Sequence, residues 1–225
     1  MTDSFIVGAY WSSRAEALND VKNKIIQTLQ RLSKIDEQFL KWYETGSSRN
    51  EALEKIAVLD DKTIERLCMA KVKKGELDEL GFSKMGFLFS LWTGHSDDQS
   101  SSISFSVGTA SKWLTNSCVI TLPFEGAARE RLLKSNKAKE IVKVLVEIWN
   151  PEYAVLSSEE LNNRLDRANE LGWITYRKVI PQIPNAVKIV HEKYNEGHLF
   201  FLNGENSYDY NIINDLLQIN ELRGV

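Results

Sequence analysis

His95, Asp97 and Asp98 fall within one short polar stretch, directly behind an apolar run that ends at Trp92. An imidazole beside two carboxylates can serve as a general base with an orienting acid, provided a nucleophile and an oxyanion donor lie within reach. The neighbouring residues identify neither, so a polar surface turn is the plainer reading and a small enzyme built on these three the alternative. His191 and His198 flank a second polar stretch that also holds Glu192 and Glu196. A metal there would need a third ligand from one of the glutamates, and two hairpin histidines read more simply as surface residues. Cys68 and Cys118 are the only cysteines, 50 positions apart, which matches neither a disulfide framework nor a zinc spacing. The chain has no glycine-rich phosphate loop and no Gly-x-Ser-x-Gly nucleophile turn. The residues thus predict no catalytic centre, no metal and no cofactor.

A different signal is stronger. The heptad SSRAEAL at 12–18 recurs as SSRNEAL at 47–53, each behind an aromatic pair, Tyr10-Trp11 and Trp42-Tyr43. Ser13 with Glu16, and Ser48 with Glu51, fit the capping box, in which hydroxyl and carboxylate satisfy reciprocal amides at a helix start. Both heptads predict a helix entry with arginine, Arg14 or Arg49, at its first position. A cation there opposes the helix dipole at a cost of about 0.3–1 kcal/mol, so each guanidinium should be held by a carboxylate elsewhere in the fold or by a partner.

The overall balance is 28 basic against 31 acidic residues, a net charge of −3. A dedicated nucleic-acid binder would show a basic excess. The excess acid lies at the end: residues 184–225 hold Glu192, Glu196, Glu205, Asp209, Asp215 and Glu221 against Lys188, Lys193 and Arg223. Such an end can steer a basic partner or simply solvate the protein. No apolar run approaches the ~20 residues needed to span a bilayer, and the first residues lack a basic, then apolar, leader. These features predict a soluble, reduced, cytoplasmic protein.

The elements that must position these residues can be read from apolar spacing. Phe5 to Trp11 predicts a strand, and Leu18, Val21, Ile25, Leu29 and Leu32 form one face of a long helix. The stretch Ile35 to Tyr43 should turn Phe39, Leu40 and Trp42 inward. Short helices are expected over Asn50 to Val58 and over Asp61 to about Lys73, the latter capped by Asp61. Met85 to Trp92 is nearly all apolar, as in a central strand. Ile103, Phe105 and Val107 alternate with Ser102, Ser104 and Ser106, whose hydroxyls then form a wet sheet face. Cys118, Ile120 and Leu122 repeat the pattern up to Pro123, which gives a three-strand meander. Ile141 to Trp149 predicts a helix ended by Pro151, then a strand over Tyr153 to Leu156. Ser157 and Glu160 suggest a third capped helix, running to Gly172. Strands follow at 173–179, 187–191 and 198–202, the last two joined by a turn at Asn195-Glu196-Gly197, and a final helix is expected over Ile212 to Leu222. The blocks predict an α+β fold: one domain over 1–225, a mixed, largely antiparallel central sheet, helices packed against it, and Pro123 as the only possible internal seam.

Several of these residues form an ordered set. The run Gly8-Ala9-Tyr10-Trp11 with Arg14 is followed by Phe39-x-x-Trp42-Tyr43-x-x-Gly46-x-Ser48-Arg49-x-x-Ala52-Leu53, then by Glu79-Leu80-Gly81-Phe82-Ser83, Leu91-Trp92-x-Gly94 and Trp149-x-Pro151-x-x-Ala154-Val155-x-Ser157. In order and spacing, this set resembles the immunity protein 52 family of bacterial polymorphic toxin systems, over residues 8 to 157. The resemblance implies a non-enzymatic antidote that binds a cognate toxin encoded by a neighbouring gene and blocks it. It also implies a toxin of restriction-endonuclease-fold nuclease type, delivered by contact-dependent or type VI secretion. The shared residues Trp11, Arg14, Trp42, Arg49, Trp92 and Trp149 are expected to specify the fold. Toxin contacts are expected instead from His95, Asp97 and Asp98 and from the acidic residues Glu192, Glu196, Glu205 and Asp209, with no direct nucleic-acid or membrane contact. A peptide-binding adaptor that uses exposed tryptophans is the remaining alternative.

Overall fold

Strand β1 (Phe5–Trp11) buries Phe5, Val7, Ala9 and Trp11 on one face, and because it is paired along both edges the rest of the sheet is built outward from it. The computed structural model describes residues 3–159, 171–179, 189–202 and 208. Within them, β1 pairs with β5 (Asn116–Thr121) on one side and β6 (Tyr153–Ser158) on the other. Outward from β5 lie β4 (Ser102–Val107), β3 (Phe87–Trp92) and the two-residue β2 (Tyr43–Glu44); outward from β6 lie β7 (Ile174–Arg177), β9 (Gly197–Leu202) and β8 (Ile189–Tyr194). The sheet thus has nine strands in the order β2-β3-β4-β5-β1-β6-β7-β9-β8, all paired antiparallel. Five helices accompany it among the described residues, and the fold is α+β as expected.

Helix α1 (Leu18–Ile35) buries Val21, Ile25, Leu29 and Leu32, while α5 (Ser135–Trp149) buries Ile141, Val142, Leu145, Val146 and Trp149. Their apolar stripes meet, α5 lies across β1, β6 and β7, and α1 also packs on α3 (Asp61–Met69), which backs β3. Each fully buried aliphatic side chain of this layer contributes roughly 1.5–3 kcal/mol. Lys22, nearly buried on α1, reaches Asp61 at 2.9 Å and Glu65 at 2.7 Å, so the polar atom inside the α1–α3 contact is neutralised by two carboxylates. Helix α5 stops where Asn150 turns left-handed (φ 43°) ahead of Pro151.

The opposite sheet face carries small hydroxyls. Ser90 and Ser104 share a hydrogen bond of 2.9 Å across β3 and β4, and Ser106 stands beside Ser117. Tyr10 lies flat across Gly8, where any Cβ would overlap the phenol, and stacks on Tyr153 with centroids 5.9 Å apart. Burial pushes the Tyr153 hydroxyl well above its ordinary pKa.

The structure corrects several local expectations. Ser13 is not a helix cap: its hydroxyl donates to the Ala110 carbonyl at 2.6 Å, and α1 starts at Leu18 behind Ala17. Asp60, not Asp61, caps α3 by accepting from the Thr63 amide. Leu40 is 62 % exposed, because a tight 3-10 turn at Glu37–Phe39 rotates it away from the buried Phe39 and Trp42. Helix α2 spans only Arg49–Leu53, because the following residues return to pair beside β2. Strand β3 alternates between buried and accessible residues and sits one place in from the sheet edge. Ser157 lies inside β6. The helices expected after it and after Ile212 fall largely outside the described residues.

Candidate functional site

The loop after β3 reaches its position because three segments hold it. Gln38, buried in the turn before β2, donates to the Gln99 carbonyl at 2.8 Å and to Thr93 Oγ1 at 3.2 Å. The Asp98 carbonyl accepts from the amides of Phe124 and Glu125 at 2.8 and 2.9 Å, which ties the loop to the start of α4 (Gly126–Leu132). Gly94, at φ +78°, lets the chain pass the Tyr43 ring, where a Cβ would stand 2.5 Å from a ring carbon. These ties leave an open cleft of about 570 Å³ between the loop, residues 37–43 and the first turn of α4.

His95 lines this cleft, together with Glu37, Gln38, Leu40, Lys41, Glu125 and Arg131. Asp97 and Asp98 are exposed on the short 3-10 turn Asp97–Gln99, outside the lining. The Ser100 hydroxyl donates to the His95 carbonyl, at 2.7 Å, and not to its ring. Among the described residues, no hydrogen bond joins the imidazole to Asp97 or Asp98. The three expected residues are therefore neighbours at one rim, and His95 alone faces the cleft.

Beneath the cleft lies a residue that the sequence did not single out. Asp36 is buried; Arg131 meets it through two nitrogens at 2.8 and 3.0 Å, Lys137 bonds to it, and the Gln38 amide donates at 3.0 Å. Burial alone would raise its pKa, but the two cations and the amide hold the carboxyl far below the usual carboxylate range. Arg131 is thus committed inward, and it also meets Glu37 at 3.0 Å. The charges at the rim without such partners among the described residues are Asp97, Asp98 and Glu125 against Lys41.

The C-terminal acids are placed differently. Glu192 on β8 faces α5 and meets Lys139 at 3.1 Å and Lys143 at 3.8 Å. Glu196, in the two-residue turn between β8 and β9, meets Lys178 at 2.9 Å and accepts from Asn150 at 3.2 Å, contacts that lower its pKa. Glu205 and Asp209 lie outside the described residues. His191 and His198 do approach, with ring centroids 5.9 Å apart, but no group of three metal-binding side chains occurs among the described residues. Burial pushes the Cys68 thiol up to about 12 and raises Cys118 too, so neither is a reactive thiolate.

Of the tryptophans in the sequence motifs, Trp11, Trp42 and Trp149 are buried and Trp92 is half-buried, as is Arg14. Trp11 stacks on Trp149 at 5.4 Å, the Trp149 indole donates to Thr28 Oγ1 at 3.1 Å, and Trp92 donates to the Glu44 carbonyl at 3.1 Å. Trp42 is buried against Phe39, with centroids 5.9 Å apart. Arg14 lies 4.8 Å over Trp11 and donates to the carbonyls of Trp149 (2.6 Å) and Asn150 (3.2 Å). Arg49 is exposed with no ion pair among the described residues. Trp113 is the opposite case: it is 94 % exposed at the β4–β5 turn, and its only sequence signal is a large apolar residue inside a polar connection.

By structure, the chain is similar to the Pseudomonas aeruginosa T6SS protein PA0821: 97 % of this chain and 76 % of that one superimpose at a TM-score of 0.50 and 12 % identity. At that identity the likeness shows the fold. No curated protein sequence matches. The family model described as Immunity protein 52 matches residues 3–212, past the last residue of the sequence motifs and through nearly the whole chain. On that match, over nearly its whole length, the chain belongs to the Immunity protein 52 family.

Proposed function

We propose that this chain is the cytoplasmic antidote to one cognate toxin, encoded by a neighbouring gene, and that it neutralises the toxin by a stable complex covering its active site. Membership of the Immunity protein 52 family over residues 3–212 is the observation that carries this reading. The toxin we infer is a nuclease of restriction-endonuclease fold. A nuclease needs a basic groove for its substrate, and the rim formed by Asp97, Asp98 and Glu125 offers the complementary sign. The loop 94–101 is the better contact surface than Glu192 and Glu196, because those two carboxylates already hold lysines of their own chain. His95, at the mouth of the cleft, is a contact residue in this reading and not a base.

The test is a rescue experiment. The C-terminal domain of the neighbouring secreted protein is expressed in a host with and without this chain. Growth restored by the chain, with the two proteins co-eluting, is the expected result; toxicity that persists despite soluble chain overturns the reading. Reversing Asp97 and Asp98 to lysine should weaken the complex at least about tenfold while leaving the fold intact. An unchanged affinity would move the interface elsewhere.

A further inference from the structure

The surface on the other side of Asp36 has the opposite character. Between the C-terminal half of α1 and the first turns of α5 runs a groove of about 690 Å³, lined by Arg31, Lys34, Lys137, Lys139 and Lys143, with Glu140 the only carboxylate in its lining among the described residues. In a chain of net charge −3 this is a local inversion of sign. The cations are not fully matched from within. Asp36 is shared by Lys137 and Arg131, and Glu192 by Lys139 and Lys143, while Arg31 takes Glu147. Lys34 is exposed and has no acidic partner among the described residues.

The lysine heads are also held in place. The Lys139 ammonium stands 4.3 Å over the Phe201 ring, and that of Lys143 stands 4.7 Å over Tyr194. Such cation–π contacts fix long side chains before any ligand arrives, which lowers the ordering cost of binding. Ile35 and Val144 add an apolar strip to the same lining.

We propose that this groove is a docking site for an acidic segment of a protein partner, one that carries apolar side chains between its carboxylates. The carboxylates would meet Lys34 and the shared lysines, and the apolar side chains would meet Ile35 and Val144. A protein segment fits better than a nucleic acid. An evenly charged phosphate backbone would run against Glu140 in the lining and Glu147 and Glu192 at its margins. The site stands apart from the acidic rim and does not depend on the nature of the toxin.

The full chain is titrated at low salt with a fluorescein-labelled peptide of alternating Glu and Leu, and in parallel with a short duplex DNA. We expect peptide binding that weakens as salt rises, with amide shifts confined to 31–35 and 136–144. The double variant Lys34→Glu, Asn136→Glu changes two exposed residues with no partner among the described residues, and should bind about tenfold more weakly at unchanged melting temperature. Should that variant misfold, Lys34→Ala must still reduce binding. The proposal is overturned by absent peptide binding, by shifts outside the groove, or by duplex DNA binding the same amides as tightly as the peptide.

Discussion

The two copies of one heptad, at 12–18 and 47–53, take different structures. At 47–53 the residues form a local helix start: the Ser48 hydroxyl accepts from the Glu51 amide at 3.3 Å, and the Glu51 carboxylate reaches back to the Ser47 amide at 2.9 Å. Arg49 is left in solvent. At 12–17 the chain makes no helix, and the amides of Arg14, Glu16 and Leu18 are satisfied by other parts of the fold. Arg14 donates to the Thr109 carbonyl, Glu16 to Gly108 and Leu18 to Gly81. The Arg14 guanidinium then reaches the carboxyl end of α5, where the helix dipole favours a cation. Two heptads that differ at one position thus place one arginine at the favourable end of another helix and leave the other with no ion pair among the described residues. A capping signature is an offer of local hydrogen bonds, taken up only where tertiary carbonyls do not compete.

This contrast can be broken by mutation. Arg14→Ala should cost about 2–3 kcal/mol, because two carbonyls at the end of α5 lose their donor and the buried Glu16 loses one of its two ion pairs; urea unfolding would measure it, and a loss as small as that of Arg49→Ala would sink the contrast. Glu16→Gln should cost about 1–2 kcal/mol by weakening the hold on Lys24 and Arg14, read from the same unfolding curves. Ser48→Ala should cost about 0.5–1 kcal/mol, confined to α2; hydrogen exchange would show faster opening there and not at α1. Glu51 sharpens the comparison through pH. The bonds from Lys55 and Ser47 lower its carboxyl to about 2, below the ordinary value of about 4.3. Its contribution is therefore complete above the ordinary value and lost as pH falls through about 2; the Ser47 amide signal should follow that titration. The smallest effect belongs to Arg49→Ala, within about 0.5 kcal/mol of no change.

What the sequence made legible follows the same division. The alternation of Ile103, Phe105 and Val107 with serines placed β4 and its wet face correctly, and the spacing of Leu29, Leu32, Ile141 and Leu145 gave the buried faces of α1 and α5. Those patterns report burial on a regular element, which each segment carries by itself. Leu40 was misplaced because a single 3-10 turn changes which residue faces inward. Asp36 escaped notice because its partners Arg131 and Lys137 lie about a hundred positions away, and nothing local marks a carboxylate that will be buried. At the candidate site, the loop holding His95, Asp97 and Asp98 was found, but which of the three faces the cleft depended on anchors from Gln38 and Phe124.

The position of β1 has a consequence for how the protein comes into being. Phe5 pairs with Ser158, and Trp11 with Asn116, so the first of these nine strands to be made is the one that waits longest for its neighbours. Contacts this distant along the chain slow folding, and a nascent chain interrupted before β6 would hold its central strand with one side open. The central sheet therefore cannot close until synthesis has passed Ser158.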